Sequence, residues 1–251
     1  MINNLIKKIF LLTGFSFGKK VVLGRTACLG KEIFSKVYAD HNDYILINQQ
    51  KVRVDLFLQL LSNNSVRPKS RQIKKYLTRK DVLPFIKEQQ YLPWLKVKRD
   101  INFILIDSLS ELVDQKFLNR SDGTFFCSYY SDVDTKNEEF NTKFDNVGLL
   151  DVGLIEKNYR DFFNWINKNY PGKPIIFINY STKLDGREKF KNRQQEISRI
   201  IKILSLENKN IKNIELDDSL IHYSEGDDLP YHYSSETNLH YANQWKKVCP
   251  I

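Results

Sequence analysis

A cysteine that follows a short apolar run is the first residue of this chain whose position could support chemistry. Cys28 comes after the run Val21-Val22-Leu23, in a turn with small residues and a second glycine, Gly30. Such a strand-to-helix elbow presents one side chain beside the open amides and the positive dipole end of the following helix. Cys28 is therefore a candidate nucleophile, with nearby amides as an oxyanion hole. The alternative is a small, buried cysteine in a tight turn.

A group of histidines near the C-terminal end could supply a base. His222, His232 and His240 are each followed by tyrosine, and all three come after the last predicted strand. Many α/β hydrolases deliver their general base to the sheet edge from this position. A single histidine is more often a packed or exposed residue, so the prediction depends on the combination with an elbow cysteine.

Polar side chains end two further apolar runs. The run from Ile101 to Ile106 leads into Asp107 and Ser108, and a later run leads into Asn179 and Ser181. Ligands of open parallel sheets bind beyond the carboxyl ends of the strands, so these side chains are predicted to share an edge with Cys28. The alternative for Asp107 and Ser108 is the capping of a neighbouring turn.

Strand and helix patterns alternate along the chain and predict how these residues are positioned. Apolar runs predict strands near 19–23, 44–48, 101–108, 173–180 and 213–216, and amphipathic patterns predict helices over 31–38, 54–61, 82–94, 153–170 and 187–206. This alternation predicts a doubly wound, mainly parallel sheet in one domain over residues 19–251, after a leading helix over residues 1–18. The polar, aromatic segment 119–146 is typical of a lid or substrate loop, with Phe125 to Tyr130 able to exclude water.

Composition limits the classes of protein that this chain can be. It has 251 residues, 41% of them hydrophobic, and a formal net charge of +9. Cys28, Cys127 and Cys249 lack paired spacing, which argues against a disulfide scaffold or a zinc knuckle and favours a reducing cytoplasm. The acids of segment 119–146 lack the spacing of a calcium loop, so no metal is expected. No stretch approaches the about 20 apolar residues of a membrane span, although the leading helix could lie on a membrane surface.

A strongly basic segment lies between Arg67 and Lys80, with a single acid, Asp81, directly after it. One interpretation is a solvated, lysine-rich face. The other is a binding surface for an anionic polymer or for phosphates. Nucleic acid is disfavoured as a partner because aromatic residues are not interleaved with the basic ones.

Three blocks of sequence, in order, resemble the SGNH (GDSL-like) hydrolase superfamily. More closely, they are similar to a branch found with bacterial surface-polysaccharide genes, whose first block reads Gly-Ser-Cys-x-Ser-Arg-Asp-Ile-Phe. The matching residues here are Thr26-Ala27-Cys28-Leu29-Gly30-Lys31-Glu32-Ile33-Phe34. The second block is similar to Ile106-Asp107-Ser108-Leu109-Ser110-Glu111-Leu112, and the third to Pro230-Tyr231-His232-Tyr233. Thr26 and Ala27 stand where the branch has Gly and Ser.

The resemblance implies a three-layer α/β/α sandwich with a flavodoxin-like sheet and assigns roles to residues. Cys28 would be the nucleophile and His232 the base, oriented by Asp228, although the usual Asp-x-x-His spacing is missing; His240 is the alternative base. Asn179 would correspond to the oxyanion asparagine, without the Gly-x-Asn-Asp pattern. The predicted oxyanion and substrate-binding residues at this edge are Gly30, Asn179, Asp107, Ser108, Thr26 and Arg25.

The implied activity is an acyl transfer, acetyl above all, or an ester hydrolysis on a bacterial surface or capsular polysaccharide or its precursor. No tightly bound cofactor is expected, with acyl-CoA as a candidate co-substrate. The expected partners are a glycan substrate and a contact with the membrane periphery or a capsule-assembly complex, and the expected location is the cytoplasm or the inner face of the membrane. The alternative is a non-catalytic glycan-binding or assembly protein with a degenerate site.

Overall fold

The computed structural model describes residue 10 and residues 18–38, 43–62, 69–97, 101–226 and 229–249. The chain falls into two compact units, each built from separate segments. Unit 1 comprises residues 1–48, 93–109 and 164–251, and unit 2 comprises residues 49–92 and 110–163. The leading helix predicted over residues 1–18 lies almost wholly outside the described residues. The single domain over residues 19–251 stays a prediction.

The described strands and helices alternate as the sequence predicts, with an additional group of strands in the middle of the chain. The strands are β1 (Lys20–Arg25), β2 (Tyr44–Asn48), β3 (Ile101–Asp107), β4 (Asp114–Asn119), β5 (Phe125–Tyr129), β6 (Phe144–Gly148), β7 (Ile175–Ile178) and β8 (Ile211–Ile214). The α-helices are α1 (Cys28–Val37), α2 (Val54–Ser62), α3 (Ser70–Ile73), α4 (Leu83–Glu88), α5 (Leu109–Val113), α6 (Glu138–Lys143), α7 (Val152–Asn169), α8 (Glu188–Glu207) and α9 (Ser235–Val248).

A five-stranded, wholly parallel sheet forms the centre of the described part of unit 1. Its strands lie in the order β2-β1-β3-β7-β8, which is the 2-1-3-4-5 order of flavodoxin-like folds. The strand order changes direction next to β1, so right-handed crossovers carry the connecting helices to opposite faces of the sheet. The predicted fold class, a mainly parallel sheet between helices, is confirmed. The last strand begins at Ile211, ahead of the predicted position.

One face of the sheet is covered by α1 and α9, whose aromatic side chains pack around a residue of β3. The rings of Phe34 and Trp245 lie 6.2 Å and 5.5 Å from the ring of Phe103, measured between centroids. Tyr38 stacks on the same ring at 5.8 Å. These contacts fix α1 on the sheet and thereby fix the position of its first residue, Cys28.

Unit 2 contains a three-stranded antiparallel sheet in the order β5-β4-β6 within its described residues. An apolar cluster that includes Tyr76, Phe117, Phe126 and Phe140 packs against this sheet. The prediction of a lid or substrate loop over residues 119–146 is therefore wrong. Phe125 and Phe126 are 3% and 1% exposed and belong to β5, so they fill the core of unit 2 instead of covering a substrate.

The long helix α7 agrees with its predicted pattern except at its beginning. Tyr159, Phe162, Phe163 and Ile166 form its buried face, whereas Leu154, in the first turn, is 49% exposed. Each helix in the described part of the chain is too short or too polar to span a lipid bilayer.

Candidate active site

A tight elbow between β1 and α1 presents Cys28 at the carboxyl edge of the parallel sheet. β1 ends at Arg25, the helix cap is Ala27, and Cys28 is the first residue of α1. The Cys28 side chain is exposed, so the interpretation of a buried structural cysteine is wrong. An exposed thiol at a helix N-terminus, beyond the end of a parallel strand, has the placement that a nucleophile requires.

The side chain of Asn48, at the end of β2, holds the elbow from one side. Its Oδ1 accepts a hydrogen bond from the Thr26 amide at 3.1 Å, and its Nδ2 donates to the Thr26 carbonyl at 2.8 Å. Asn48 pairs in register with Gly24 of β1. A Cβ atom on Gly24 would lie 2.4 Å from Asn48 Oδ1, so only glycine leaves room for this clamp.

The carboxylate of Asp107, at the end of β3, holds the elbow from the other side. Its Oδ2 accepts from the Thr26 hydroxyl and from the Ala27 amide, both at 2.6 Å, and its Oδ1 accepts from the Leu109 amide at 3.2 Å. Burial raises the pKa of Asp107 to about 6, although these three hydrogen bonds act in the opposite direction. Asp107 therefore acts as a clamp for the backbone ahead of Cys28.

Two more residues assigned to the site by the sequence are structural neighbours of this clamp. A Cβ atom on Gly30 would lie 1.7 Å from Thr26 Oγ1, so Thr26 packs directly on the Cα of Gly30. Arg25 is 2% exposed, and its guanidinium donates to the Asp107 carbonyl at 3.4 Å. Thr26, Gly30 and Arg25 thus shape the elbow from within.

Tyr180, which follows β7, connects the elbow to the neighbouring part of the sheet edge. Its hydroxyl accepts a hydrogen bond from the Leu29 amide at 3.1 Å, directly beside Cys28. Its own amide donates to Ser108 Oγ at 2.9 Å. Burial raises the pKa of the Tyr180 phenol well above its usual range, so the hydroxyl keeps its proton. Ser108 is 2% exposed and engaged in this contact.

The segment that carries His232 packs on Tyr180 through the tyrosines on either side of the histidine. The ring of Tyr231 lies 6.1 Å from that of Tyr180, and the ring of Tyr233 lies 5.9 Å from it. Tyr233 also donates its hydroxyl hydrogen to the Ser181 carbonyl at 2.6 Å. Tyr180 therefore contacts both the first turn of α1 and the segment that carries His232, whose own side chain is exposed.

A short antiparallel pairing fixes the backbone at His232. Tyr223 and Tyr233 form an isolated bridge, in which the Ser224 amide donates to the His232 carbonyl at 3.1 Å. Asp228, the predicted orienting acid, lies outside the described residues. His240, the alternative base, lies on α9, with its Nε2 at 3.9 Å from Glu236 Oε1 on the same helix.

Asn179 directs its side chain toward β8. Its Nδ2 donates to Asn213 Oδ1 at 2.7 Å, and its backbone amide donates to the Ile214 carbonyl at 2.9 Å. A cavity of about 340 Å³ opens here, lined by Asn179, Tyr180, Glu215, Asp217 and Asp218 among others. Its volume lies within the range of small-ligand sites, and its position at the carboxyl ends of β7 and β8 is where open parallel sheets bind ligands.

Two residues of this site, Asn48 and Tyr180, are not among those predicted from the sequence. Asn48 carries a usable signal, because it is the polar residue at the end of the strand predicted over 44–48, as Asp107 and Asn179 are at the ends of theirs. Tyr180 lies between the predicted Asn179 and Ser181 but was treated as part of the apolar strand. Alternation along an extended chain places it on the other side from Asn179, toward the elbow.

Strand order and the convergence of polar strand ends define this part of the chain as a doubly wound α/β protein of flavodoxin-like topology. No protein-family model matches the chain, and no curated protein matches it in sequence.

Among the solved structures that the chain resembles are a lipase and an esterase. A GDSL-like lipase from Bacteroides thetaiotaomicron VPI-5482 aligns over 98% of this chain and 97% of its own, with 11% identity and a TM-score of 0.48. An acetyl xylan esterase from the rumen bacterium Butyrivibrio proteoclasticus aligns over 91% of this chain, with 12% identity and a TM-score of 0.43. The chain spans 63% of the length of that esterase. At these values the likenesses carry no argument about activity.

Proposed function

We propose that this protein transfers or hydrolyses an acyl group on a carbohydrate, with Cys28 as the nucleophile and His232 as the base. The observation that supports the proposal is a series of contacts that connects the residue after Cys28, through Tyr180, to both neighbours of His232. Leu29, next to Cys28, hydrogen-bonds Tyr180, and the Tyr180 ring packs on both neighbours of His232.

The first half of the reaction forms a thioester. His232 takes the thiol proton while Cys28 Sγ attacks the acyl carbonyl carbon, and the carbonyl π electrons move to oxygen. When this oxyanion collapses, the bond from the carbonyl carbon to the leaving group breaks, and the leaving alkoxide of an ester, or the CoA thiolate of acetyl-CoA, takes the proton from His232. In the second half, water or a glycan hydroxyl gives its proton to His232 and attacks the thioester. Collapse then releases the Cys28 thiolate, which recovers the proton.

Tyr180 is the proposed oxyanion donor of this site. Its hydroxyl lies 3.1 Å from the Leu29 amide, which donates to it, so its own hydrogen is available to a second acceptor beside Cys28. A phenol that stays protonated is a suitable donor to a developing negative charge. The Asn179 amide, which donates to Asn213, would need to turn away from β8 to take that role.

The carbohydrate is proposed from the lining of the cavity at the ends of β7 and β8. Carboxylates such as Glu215, Asp217 and Asp218 accept hydrogen bonds from sugar hydroxyls, and Tyr180 is shared between this cavity and the elbow. A surface or capsular polysaccharide, or its precursor, is the proposed acceptor. Acetyl-CoA in the cytoplasm, at the inner face of the membrane, is the proposed donor.

The decisive experiment uses an activated acetyl ester, such as 4-nitrophenyl acetate, with and without a polysaccharide acceptor. Cys28→Ala should abolish turnover, and Cys28→Ser should lower it by about 10²-fold or more. Intact-mass spectrometry should detect an acetyl adduct on the native chain and none on Cys28→Ala. His232→Asn should lower turnover, whereas the matched variant His240→Asn should not. Unchanged turnover in Cys28→Ala would overturn the proposal.

The second candidate function is glycan binding without catalysis. One observation favours it. The Leu29 backbone amide already donates to Tyr180 and the Asn179 side-chain amide already donates to Asn213, so these two candidate oxyanion donors are engaged within the protein. This candidate predicts glycan binding that is equal in the native chain and in Cys28→Ala, together with no acetyl adduct on either.

A further inference from the structure

A second cavity, of about 530 Å³, lies in unit 2 and has a basic lining. It is lined by Lys75, Arg120 and Lys143 and by neutral hydrogen-bonding residues that include Asn119, Ser121 and Thr142. Its volume lies within the range of small-molecule sites. Lys75 belongs to the basic segment singled out in the sequence, which the proposed acyl transfer does not use.

The walls of this cavity are held by backbone pairing. Asn119 and Phe144 are partners in the register between β4 and β6, and the Arg120 amide donates to the Lys143 carbonyl at 2.9 Å. Asn119 Oδ1 accepts from both the amide and the hydroxyl of Ser121, at 3.0 Å and 2.9 Å. The backbone that carries Arg120 and Lys143 is therefore fixed before any ligand arrives.

Positive charge exceeds negative charge at the centre of this lining. Lys75 and Lys143 both contact the same oxygen of Glu139, at 2.5 Å and 2.8 Å, so two ammonium groups share one carboxylate. They hold the pKa of Glu139 down at about 2. Arg120 pairs with Asp145 at 2.6 Å. The three cations therefore face two carboxylates, and the remaining net charge of +1 favours the binding of an anion.

We propose that this cavity binds the phosphate group of a hydroxyl-rich ligand, such as a sugar phosphate. Lysine ammonium groups bind phosphate as point charges, and an arginine can add paired hydrogen bonds to two of its oxygens. The amide and hydroxyl side chains beside them suit the hydroxyls of a sugar or a ribose. This binding does not depend on the chemistry proposed at Cys28.

Isothermal titration at constant ionic strength tests the site with glucose 1-phosphate, inorganic phosphate and glucose. We expect saturable binding of glucose 1-phosphate, weaker binding of inorganic phosphate and none of glucose. Adenosine 3′,5′-bisphosphate tests for a nucleotide ligand. If it binds about 10-fold tighter than glucose 1-phosphate, the ligand is a nucleotide; if glucose 1-phosphate binds about 10-fold tighter, the ligand is a sugar phosphate. Cys28→Ala should bind equally well, so failure of the acyl-transfer proposal would leave this result unchanged.

Variants that each remove one charge, compared with matched control variants, distinguish a specific phosphate site from general electrostatic attraction to a basic surface. Lys143→Gln should weaken glucose 1-phosphate binding about 5-fold or more, because it removes one ammonium group. Lys157→Gln loses a comparable ion pair, with Asp161 on α7, and should have no effect. Glu139→Gln should tighten binding because the competing carboxylate is lost, while Asp161→Asn should not.

Three results would overturn the proposal. They are an absence of saturable binding by every phosphate probe, equal losses in Lys143→Gln and Lys157→Gln, and a Glu139→Gln variant that binds no tighter than the native chain. Circular dichroism of each variant shows whether it is folded. If Lys143→Gln is unfolded, Lys75→Gln replaces it in the same comparison.

Discussion

The residues ahead of Cys28 are held by side chains from two other strands, more than by their own local sequence. Asn48 binds both backbone groups of Thr26, and Asp107 binds the Thr26 hydroxyl and the Ala27 amide. The cap residue Ala27 has no side-chain hydrogen bond of its own to offer. The neighbouring strand ends therefore supply the polar contacts that an alanine at the cap of α1 cannot.

Asp107 should make stability depend on pH. Burial raises the pKa of this carboxyl from an ordinary 3.8 to about 6 in the folded chain. The folded state therefore holds the proton more tightly, so the contribution is fully present below about pH 4 and is lost as the pH rises through about 6. Between pH 4 and 7 the free energy of unfolding should fall by up to about 3 kcal/mol on this account. Urea denaturation at each pH measures it.

The control for this dependence is Asp107→Asn, which cannot titrate. Its free energy of unfolding should be lower than that of the native chain at pH 4 and should change less between pH 4 and 7. Asp161→Asn, which removes an exposed carboxyl on α7, should keep the native slope. An equal slope in Asp107→Asn and the native chain would contradict the assignment.

Gly30 should tolerate no side chain, because Thr26 occupies the space. A Cβ atom there would lie 1.7 Å from Thr26 Oγ1 and 2.8 Å from Thr26 Cβ. Gly30→Ala should cost about 1–3 kcal/mol of stability and displace Thr26 from Asp107. The loss should be smaller in a Thr26→Ala background, which a double-mutant cycle measures by urea denaturation.

Gly186→Ala is the comparison for this substitution. A Cβ atom on Gly186 would meet nothing within 4 Å, so the change should cost little. If Gly186→Ala and Gly30→Ala were equally costly, a general loss of backbone freedom would explain both and the contact with Thr26 would not.

The parallel strands are easier to predict from the sequence than the antiparallel ones. β3 and β7 are continuous apolar runs, because helices cover both faces of the sheet. The strands of unit 2 are short and lie beside turn residues, and Gly123, between β4 and β5, has a positive φ of 68°. Ser121-Asp122-Gly123 is a turn-forming sequence within the predicted loop, and in the structure it connects β4 and β5 in a hairpin.

An ion-pair cluster in unit 2 should be important for the stability of that unit. Lys51 Nζ lies 2.6 Å from Asp132 and 3.5 Å from Asp114, and both carboxylates are almost fully buried. Lys51→Met would remove the cation that Asp114 and Asp132 share, leaving Asp132 only the longer pair with Arg79 at 3.6 Å, and should cost about 3–5 kcal/mol. Urea denaturation followed by the fluorescence of the chain measures the loss.

Lys75→Met is the matched variant for this prediction. Lys75 and its partner Glu139 are 52% and 50% exposed, so loss of that solvent-screened pair should change the free energy of unfolding little. A small effect of Lys51→Met, similar to that of Lys75→Met, would mean that the cluster is solvated.

The three cysteines report on both units of the whole molecule. The Cys28 side chain is exposed, that of Cys249 is half-buried and that of Cys127 is fully buried. Burial raises the pKa of the Cys127 thiol well above its usual range. In the native protein, a thiol reagent such as Ellman's reagent should react fast with Cys28, more slowly with Cys249 and with Cys127 only on unfolding. Absorbance kinetics with and without urea measure the phases.

The assignment of these phases is tested by deletion of single thiols. Cys28→Ala should remove the fast phase and leave the urea-dependent one. Cys127→Ala should keep the fast phase and lose the urea-dependent one, because the Cys127 thiol reacts only when unit 2 opens. A fast phase that survives in Cys28→Ala would contradict the exposure of that residue.

The sequence was sufficient for the order of the parallel elements and for the edge at which polar residues gather. Alternating apolar runs carry that information locally, as at β1, α1 and β3. The clamp itself could not be predicted, because Asn48 and Tyr180 contribute through the direction of their side chains and through contacts with residues far away in the chain. The histidine motif predicted which segment reaches the edge, whereas the tyrosines beside it make the contacts with Tyr180.

The elbow around Cys28 is completed by groups that the ribosome adds much later. Thr26 hydrogen-bonds across 22 positions to Asn48 and across 81 positions to Asp107, and Leu29 bonds across 151 positions to Tyr180. Contacts of such long range form late in folding. A nascent chain thus carries the Cys28 thiol without its complete elbow until Tyr180, the last of these partners, has been synthesised. Because Cys28 is exposed in the finished fold as well, late completion of the elbow changes how the thiol is positioned beside the helix N-terminus and leaves its access to solvent unchanged.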